Sequence, residues 1–191
     1  MRILQILRRT DAKLYLGGGI LRNKVWDYLH GYQSPTPIED VDVIYFDKLS
    51  ASKEHDADLE LRLTQEIPNF RWSVKNQARM HNTNGDEPYQ SIEDAVSKWP
   101  ETATAFVFRF THEGQLDFVT PFGFSDLFRL IVAPTPHFET QGARFRSRVD
   151  KKGWKRTWPK LRVINLPGQN EAQHNNHNAP DPLHRAASVG S

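Results

Sequence analysis

Cysteine is absent from the 191-residue chain. That absence removes three chemistries at once: a disulfide framework, thiolate zinc sites and thiol nucleophilic catalysis. Long apolar runs are missing too, since no stretch approaches the roughly 20 residues needed to cross a bilayer. Met1 to Arg9 lacks the apolar segment and small-residue cleavage site of a secretory signal. The expectation is a cytoplasmic protein with no membrane contact and no obligate protein partner. Net charge is only +2, so no global excess of one sign demands nucleic acid, and the distribution of charge matters more. His30, His81, His174, His177 and His184 fall in no zinc-site spacing.

What is present suits one folded unit. A hydrophobic share of 38% is ordinary for a core with a polar periphery. Residues 1–164 read as one catalytic domain. From residue 165 onward Asn, Gln, His, Pro, Ala and Ser dominate, which predicts a disordered polar tail over 165–191. Ile3 to Leu7 reads as a helix end, Lys13 to Leu16 as a strand, and Asn23 to Leu29 as a helix closed by Gly31. Alternation over Asp40 to Tyr45 predicts a strand, and a linking helix follows up to Pro68. Arg71 to Val74 reads as a further strand and Asn82 to Pro88 as a turn-rich loop. Ser91, with Glu93 and Asp94 behind it, caps a helix toward Trp99. Thr104 to Phe110 and Gln115 to Thr120 form a hairpin around Gly114, and Ser125 starts a short helix. The fold class is α/β (α+β): a small mixed β-sheet flanked by helices, with acids on one side.

The chemistry concentrates near the amino terminus. Gly17-Gly18-Gly19 precedes Arg22, and Asp40 and Asp42 follow at a distance. Glycines let backbone amides approach phosphate oxygens with no Cβ in the way, while an arginine offers a bidentate fork. On a strand, residues i and i+2 face one side roughly 7 Å apart, so Asp40 and Asp42 can both reach one magnesium site. A dinucleotide-binding fingerprint does not fit, because Arg22 stands where its third glycine belongs.

The run Gly18-Gly19-Ile20-Leu21-Arg22-Asn23 resembles the glycine turn of CCA-adding enzymes, and Asp40-Val41-Asp42 resembles the Asp-x-Asp strand of polymerase-beta-like nucleotidyltransferases. Leu16 through Asp47, Ser73 to His81, Trp99 to Thr104 and Ala133 to Pro136 together look like a bacterial family of small nucleotidyltransferases of unknown substrate. The resemblance implies a nucleotidyltransferase head. It would move a nucleoside monophosphate from a triphosphate, ATP among the candidates, to a hydroxyl acceptor with release of pyrophosphate. It also implies Mg2+ or Mn2+ as cofactor and, by analogy, a third carboxylate on a later strand, for which Asp117 is the candidate. Asp40, Asp42 and Asp117 would then be the catalytic and metal residues, and Gly18, Gly19 and Arg22 the nucleotide-binding residues. Lys75 and Arg79 stand behind these as further phosphate contacts.

Departures from the pattern bear on the acceptor. Asn23 replaces an acid usual in CCA-adding enzymes, and the loop before Asp40 is longer. Little chain remains for the helical body that grips tRNA in those enzymes, so a smaller acceptor is expected. The acceptor class stays open among small molecules, protein and RNA. The amino terminus also reads as short for the helix expected ahead of the glycine turn. The alternative reading is an inactive nucleotide-binding or interaction protein on the same fold. A third is an RNA-binding module led by the basic, tryptophan-bearing segment Arg144 to Arg162. For that segment the expectation is plainer: tryptophans packed on the core and charges on a solvated face.

Overall fold

The computed structural model describes residues 1–38, 40–50 and 52–164, so the expected polar tail lies outside the described residues. Helix α1 (Arg2–Thr10) leads to β1 (Tyr15–Gly17), α2 (Gly19–His30) and β2 (Asp40–Tyr45). Helix α3 (Lys53–Glu66) then crosses to β3 (Arg71–Asn76), followed by the short α4 (Met80–Asn84) and α5 (Ile92–Ser97). A hairpin of β4 (Val107–Phe110) and β5 (Leu116–Val119) comes next. The carboxy-terminal part holds α6 (Ser125–Phe128), β6 (Ile131–Val132), α7 (Pro136–Glu139), α8 (Gly142–Lys152), α9 (Trp154–Thr157) and β7 (Arg162–Val163). Among the described residues no helix is long and apolar enough to cross a membrane.

Five strands form one mixed sheet in the order β3-β2-β1-β4-β5, in which only β2 and β3 run parallel. The alternation in β2 sorts its residues by face. Val41, Val43 and Tyr45 join Trp72 and Val74 of β3, Leu16 and Phe108 in the main core. Leu4 and Leu7 of α1 and Leu59 and Leu63 of α3 cover that face, and each buried aliphatic side chain contributes about 2 kcal/mol. The opposite face is covered over only part of its area. There Tyr15, Ile44 and Val107 pack with Val96 of α5 and with Ala105, Trp99 and Val119. Beyond that small cluster, the amino-terminal half of β2 is left open.

Local signals behave as the sequence predicts. Gly31 ends α2 with φ 74°, and Ser91 caps α5 by accepting from the Asp94 amide at 3.1 Å. A helix does precede the glycine turn. The expected loop at 82–88 differs, since α4 forms its first part and ends at Gly85 with φ 76°. In the carboxy-terminal part, Trp26 of α2 meets Trp154 and Trp158 edge-on, with ring centroids 5.7 and 5.1 Å away. Buried Asp27 accepts from Trp158 Nε1 at 2.8 Å and from the Thr36 amide at 2.8 Å. These contacts lock α9 and the Trp158 that follows it onto α2.

Candidate active site

Strand pairing places Tyr15 opposite Ile44 and Leu16 opposite Val43, and this brings the glycine run against β2. A Cβ on Gly17 would lie 3.0 Å from Asp42 Cβ, and one on Gly18 would lie 2.7 Å from the Phe106 carbonyl. Close approach therefore requires glycine at 18 and favours it at 17. Around Gly19 only the Arg22 guanidinium comes near, at 3.7 Å. The first turn of α2 consequently starts beside Asp42 with no capping side chain and no acid, an arrangement that favours an anion.

Arg22 lies one turn into α2. Its guanidinium sits 5.3 Å from the Trp26 ring and 4.9 Å from the Trp154 ring, and it donates to Asn23 Oδ1 at 2.8 and 3.1 Å. Burial pushes its pKa down to about 10, against the pull of Glu101 and Asp42. It stays protonated at neutral pH.

Asp40 and Asp42 share the open face of β2, with Arg71 and Ser73 of β3 opposite them in register. Asp42 looks into the cleft, where neighbouring protein atoms still strip part of its hydration. That burial raises its pKa, Asp40 raises it further, and Lys152, Arg22 and Arg148 oppose both. Asp40 shifts the other way, because the Arg71 guanidinium hydrogen-bonds and pairs with its carboxylate. Two hard-oxygen ligands on one face, one of them destabilised as a bare anion, suit a divalent cation, and Mg2+ commonly takes one or two carboxylates plus substrate phosphates. The donor set fits. Among the described residues no group of three His, Cys, Asp or Glu side chains converges on a metal position.

The cleft has a volume of about 900 Å³. Gly17, Gly18, Gly19, Arg22, Asp42 and Ser73 line one side, and α8 lines the other with Arg144, Ser147, Arg148, Lys151 and Lys152. These α8 positions recur at helical spacing on one face, while Phe145 and Val149 hold the other face in the core. The expectation that the basic charges form a solvated face is thus corrected in part, because one stripe of them faces the cleft. The tryptophans are core residues, as expected.

Arg148 is held from beneath. Its Nε donates at 2.5 Å to Oε1 of Glu101, which is 0% exposed, and Thr104 Oγ1 donates to Glu101 Oε2 at 2.9 Å. Glu101 is fixed by a bridge between two sequence motifs. The Thr102 amide donates to the Ala133 carbonyl at 3.0 Å, and the Thr135 amide donates to the Pro100 carbonyl at 3.0 Å. The Trp99–Thr104 and Ala133–Pro136 motifs are therefore two halves of one support.

Other expected residues are placed differently. Lys75 lines the cleft, but its Nζ donates to Glu60 Oε1 at 3.3 Å and to the Val74 carbonyl at 3.0 Å. Arg79 does not line it, because its guanidinium is engaged with buried Asp56, which also accepts from Tyr45 at 2.7 Å. Asp117 is not brought to the aspartate pair. It lies on β5, three strands from β2 and so about 14 Å across the sheet, where it accepts from Arg109 Nε at 3.1 Å. Sequence reasoning missed Glu101, Arg148 and the α8 stripe; the four-residue spacing of Arg144, Arg148 and Lys152 was the available signal.

The comparisons with known proteins agree with this geometry. An NMR structure described as revealing a CCA-adding enzyme head domain is 34% identical, covers 86% of this chain and 88% of its own, and superposes with a TM-score of 0.75. Two larger structures share the fold: the Thermotoga maritima CCA-adding enzyme complexed with tRNA, and a tRNA nucleotidyltransferase complexed with a primer tRNA and an ATP analogue. They are 12% and 16% identical, with TM-scores of 0.52 and 0.53. They are matched over 86% and 85% of this chain, which spans only 38% and 46% of theirs. No curated protein matches. A family profile described as nucleotidyltransferase matches residues 9–163, and with the glycine turn, the paired aspartates and the head-domain fold in place, the chain belongs to that nucleotidyltransferase family.

Proposed function

We propose that this protein moves a nucleoside monophosphate from a nucleoside triphosphate, with ATP as the first candidate, to a hydroxyl acceptor. Pyrophosphate is the second product, the reaction depends on Mg2+ or Mn2+, and it takes place in the cytoplasm. The observation that carries the reading is the meeting of Asp42 with the uncapped start of α2 across the close approach at Gly17, with Asp40 two residues earlier on the same face of β2 and paired there with Arg71. Backbone amides at Gly18 and Gly19 would receive the triphosphate, and Arg22 and Lys152 would balance its charge. Asp40 and Asp42 would hold the metal, which supplies charge stabilisation at the phosphoryl oxygens and at the attacking and leaving oxygens.

In the transfer itself, the acceptor oxygen forms a bond to the α-phosphorus. The bond from that phosphorus to the bridging oxygen breaks, and pyrophosphate leaves with the electron pair. With Asp117 lying three strands away, Asp42 is the carboxylate that would accept the acceptor's proton. Glu101 acts through Arg148 as a positioning residue, since it holds that guanidinium at the cleft wall.

A second reading, a nucleotide-binding protein without turnover, is favoured by one observation: no third carboxylate joins the pair among the described residues. One assay separates the two. Each α-labelled triphosphate is incubated with the protein, Mg2+ and a panel of hydroxyl acceptors, and pyrophosphate and transferred label are measured. Transfer that disappears in Asp42→Asn supports the enzyme; nucleotide binding with no product over the whole panel supports the rival.

A further inference from the structure

The proposed reaction leaves part of the cleft's charge unassigned. Arg148 is balanced by Glu101, Lys75 is paired with Glu60, and the one acid at the other end, Asp86, faces His137 at 3.1 Å. Arg22, Lys98, Arg144, Lys151 and Lys152 also line the cleft, and among the described residues none of them forms a salt bridge with an acid. A divalent ion takes up about half of a triphosphate's charge. Arg22 and Lys152, both of which act on Asp42, meet much of the rest. Lys98, Arg144 and Lys151 are left over.

Length points the same way. Arg144 and Lys152 are eight residues apart on α8, a rise of about 12 Å, whereas a triphosphate spans only two P–O–P links. Arg144 lies 5.3 Å from the Phe138 ring and is steadied by Gln141 Oε1 at 3.0 Å, and Ser147 lines the cleft between Arg144 and Lys151 in sequence.

We infer that Arg144, Ser147 and Lys151 of α8 form a docking site for the phosphate group of a second ligand. On the nucleotidyl-transfer reading, on which this identification rests, that ligand is the acceptor: a hydroxyl compound that already carries phosphate. Arginine and lysine supply charge, and serine supplies a neutral donor, the set that grips a phosphate monoester or diester.

The test uses the full chain, with ATP and Mg2+ present, and calorimetric titration of matched pairs: ribose against ribose 5-phosphate, and glycerol against glycerol 3-phosphate. A short single-stranded RNA with a free 3′ hydroxyl forms a third arm. The phosphorylated member should bind about tenfold tighter or more, as expected for charge-assisted hydrogen bonds. The Arg144→Gln/Lys151→Gln double variant should lose that advantage while its affinity for ATP stays within about twofold. Both side chains are exposed, so folding should survive. RNA binding that is lost in the variant, with the monoesters inert, also supports the site and puts its phosphate in a nucleic-acid backbone. Equal binding of charged and neutral members with no RNA binding, or an advantage that survives in the variant, overturns the inference. Label transfer separates this from the parent reading. Phosphate-selective binding without transfer keeps the docking site and rejects the enzyme. Transfer to neutral acceptors at equal rate keeps the enzyme and rejects the site.

Discussion

Asp42 and Asp117 occupy the same kind of place in the sequence and opposite places in the molecule. Each stands inside a β-strand between apolar neighbours, Val41 and Val43 in one case, Leu116 and Phe118 in the other. Strand register even puts them on the same face of the sheet. Asp42 meets a glycine turn, a helix start and a cationic wall, whereas Asp117 meets Arg109, which itself stacks 4.3 Å from the Tyr15 ring. Alternation decides the face a carboxylate takes, but strand order decides its company, and strand order comes from pairings between segments far apart in the chain.

The largest expected effect separates these two aspartates directly. Asp42→Asn should lower metal-dependent transfer on the order of a thousandfold, while Asp117→Asn, measured in the same assay, should stay within about twofold. Similar losses in both would restore Asp117 to the site.

The next contrast concerns their arginine neighbours. Arg148→Ala strands the fully buried Glu101 and should cost about 3 kcal/mol in urea denaturation. Arg109→Ala breaks a half-exposed pair and should cost about 1 kcal/mol or less. Equal costs would show that Glu101 finds other partners.

A smaller effect distinguishes Asp42 from Asp40. Because burial and Asp40 raise the Asp42 pKa, its ionised form is disfavoured in the fold. Stability then falls as pH rises through the folded-state value, and the cost is absent below the unfolded value. Asp42→Asn should therefore melt at or above the wild type at neutral pH, with the difference closing on acidification. The Asp40 pKa is lowered by Arg71, so its contribution is present above the unfolded value and lost as pH falls through the folded one. Asp40→Asn should melt below the wild type at neutral pH, and that gap should also close in acid. Thermal melts at several pH values check both signs; added Mg2+ should raise the midpoint of the wild type more than that of Asp42→Asn.

Much of this site was legible because its signals are local. The glycine run, the alternation of Asp40 and Asp42, the Gly31 helix end and the Ser91 cap depend on residues within a turn of one another. What escaped was set at a distance. Glu101 carries no local mark of a buried acid; its role comes from a bridge to Ala133 and Thr135 and from Arg148, 47 positions away. Arg79 beside a strand end reads as a phosphate contact until Asp56 arrives from α3. The α8 stripe shows a helical period, but only the packing of Phe145 and Val149 into the core turns its charged face toward the cleft.

The contact of Arg22 with Trp26 and Trp154 has a practical side. Indole emission is sensitive to a charge resting on the ring, and any anion drawn to that guanidinium alters the field felt by two of the chain's five tryptophans. The protein thus carries an optical reporter next to its proposed triphosphate site. Titration with unlabelled nucleotide should change its intrinsic fluorescence, and replacing Trp154 with Phe should diminish the signal.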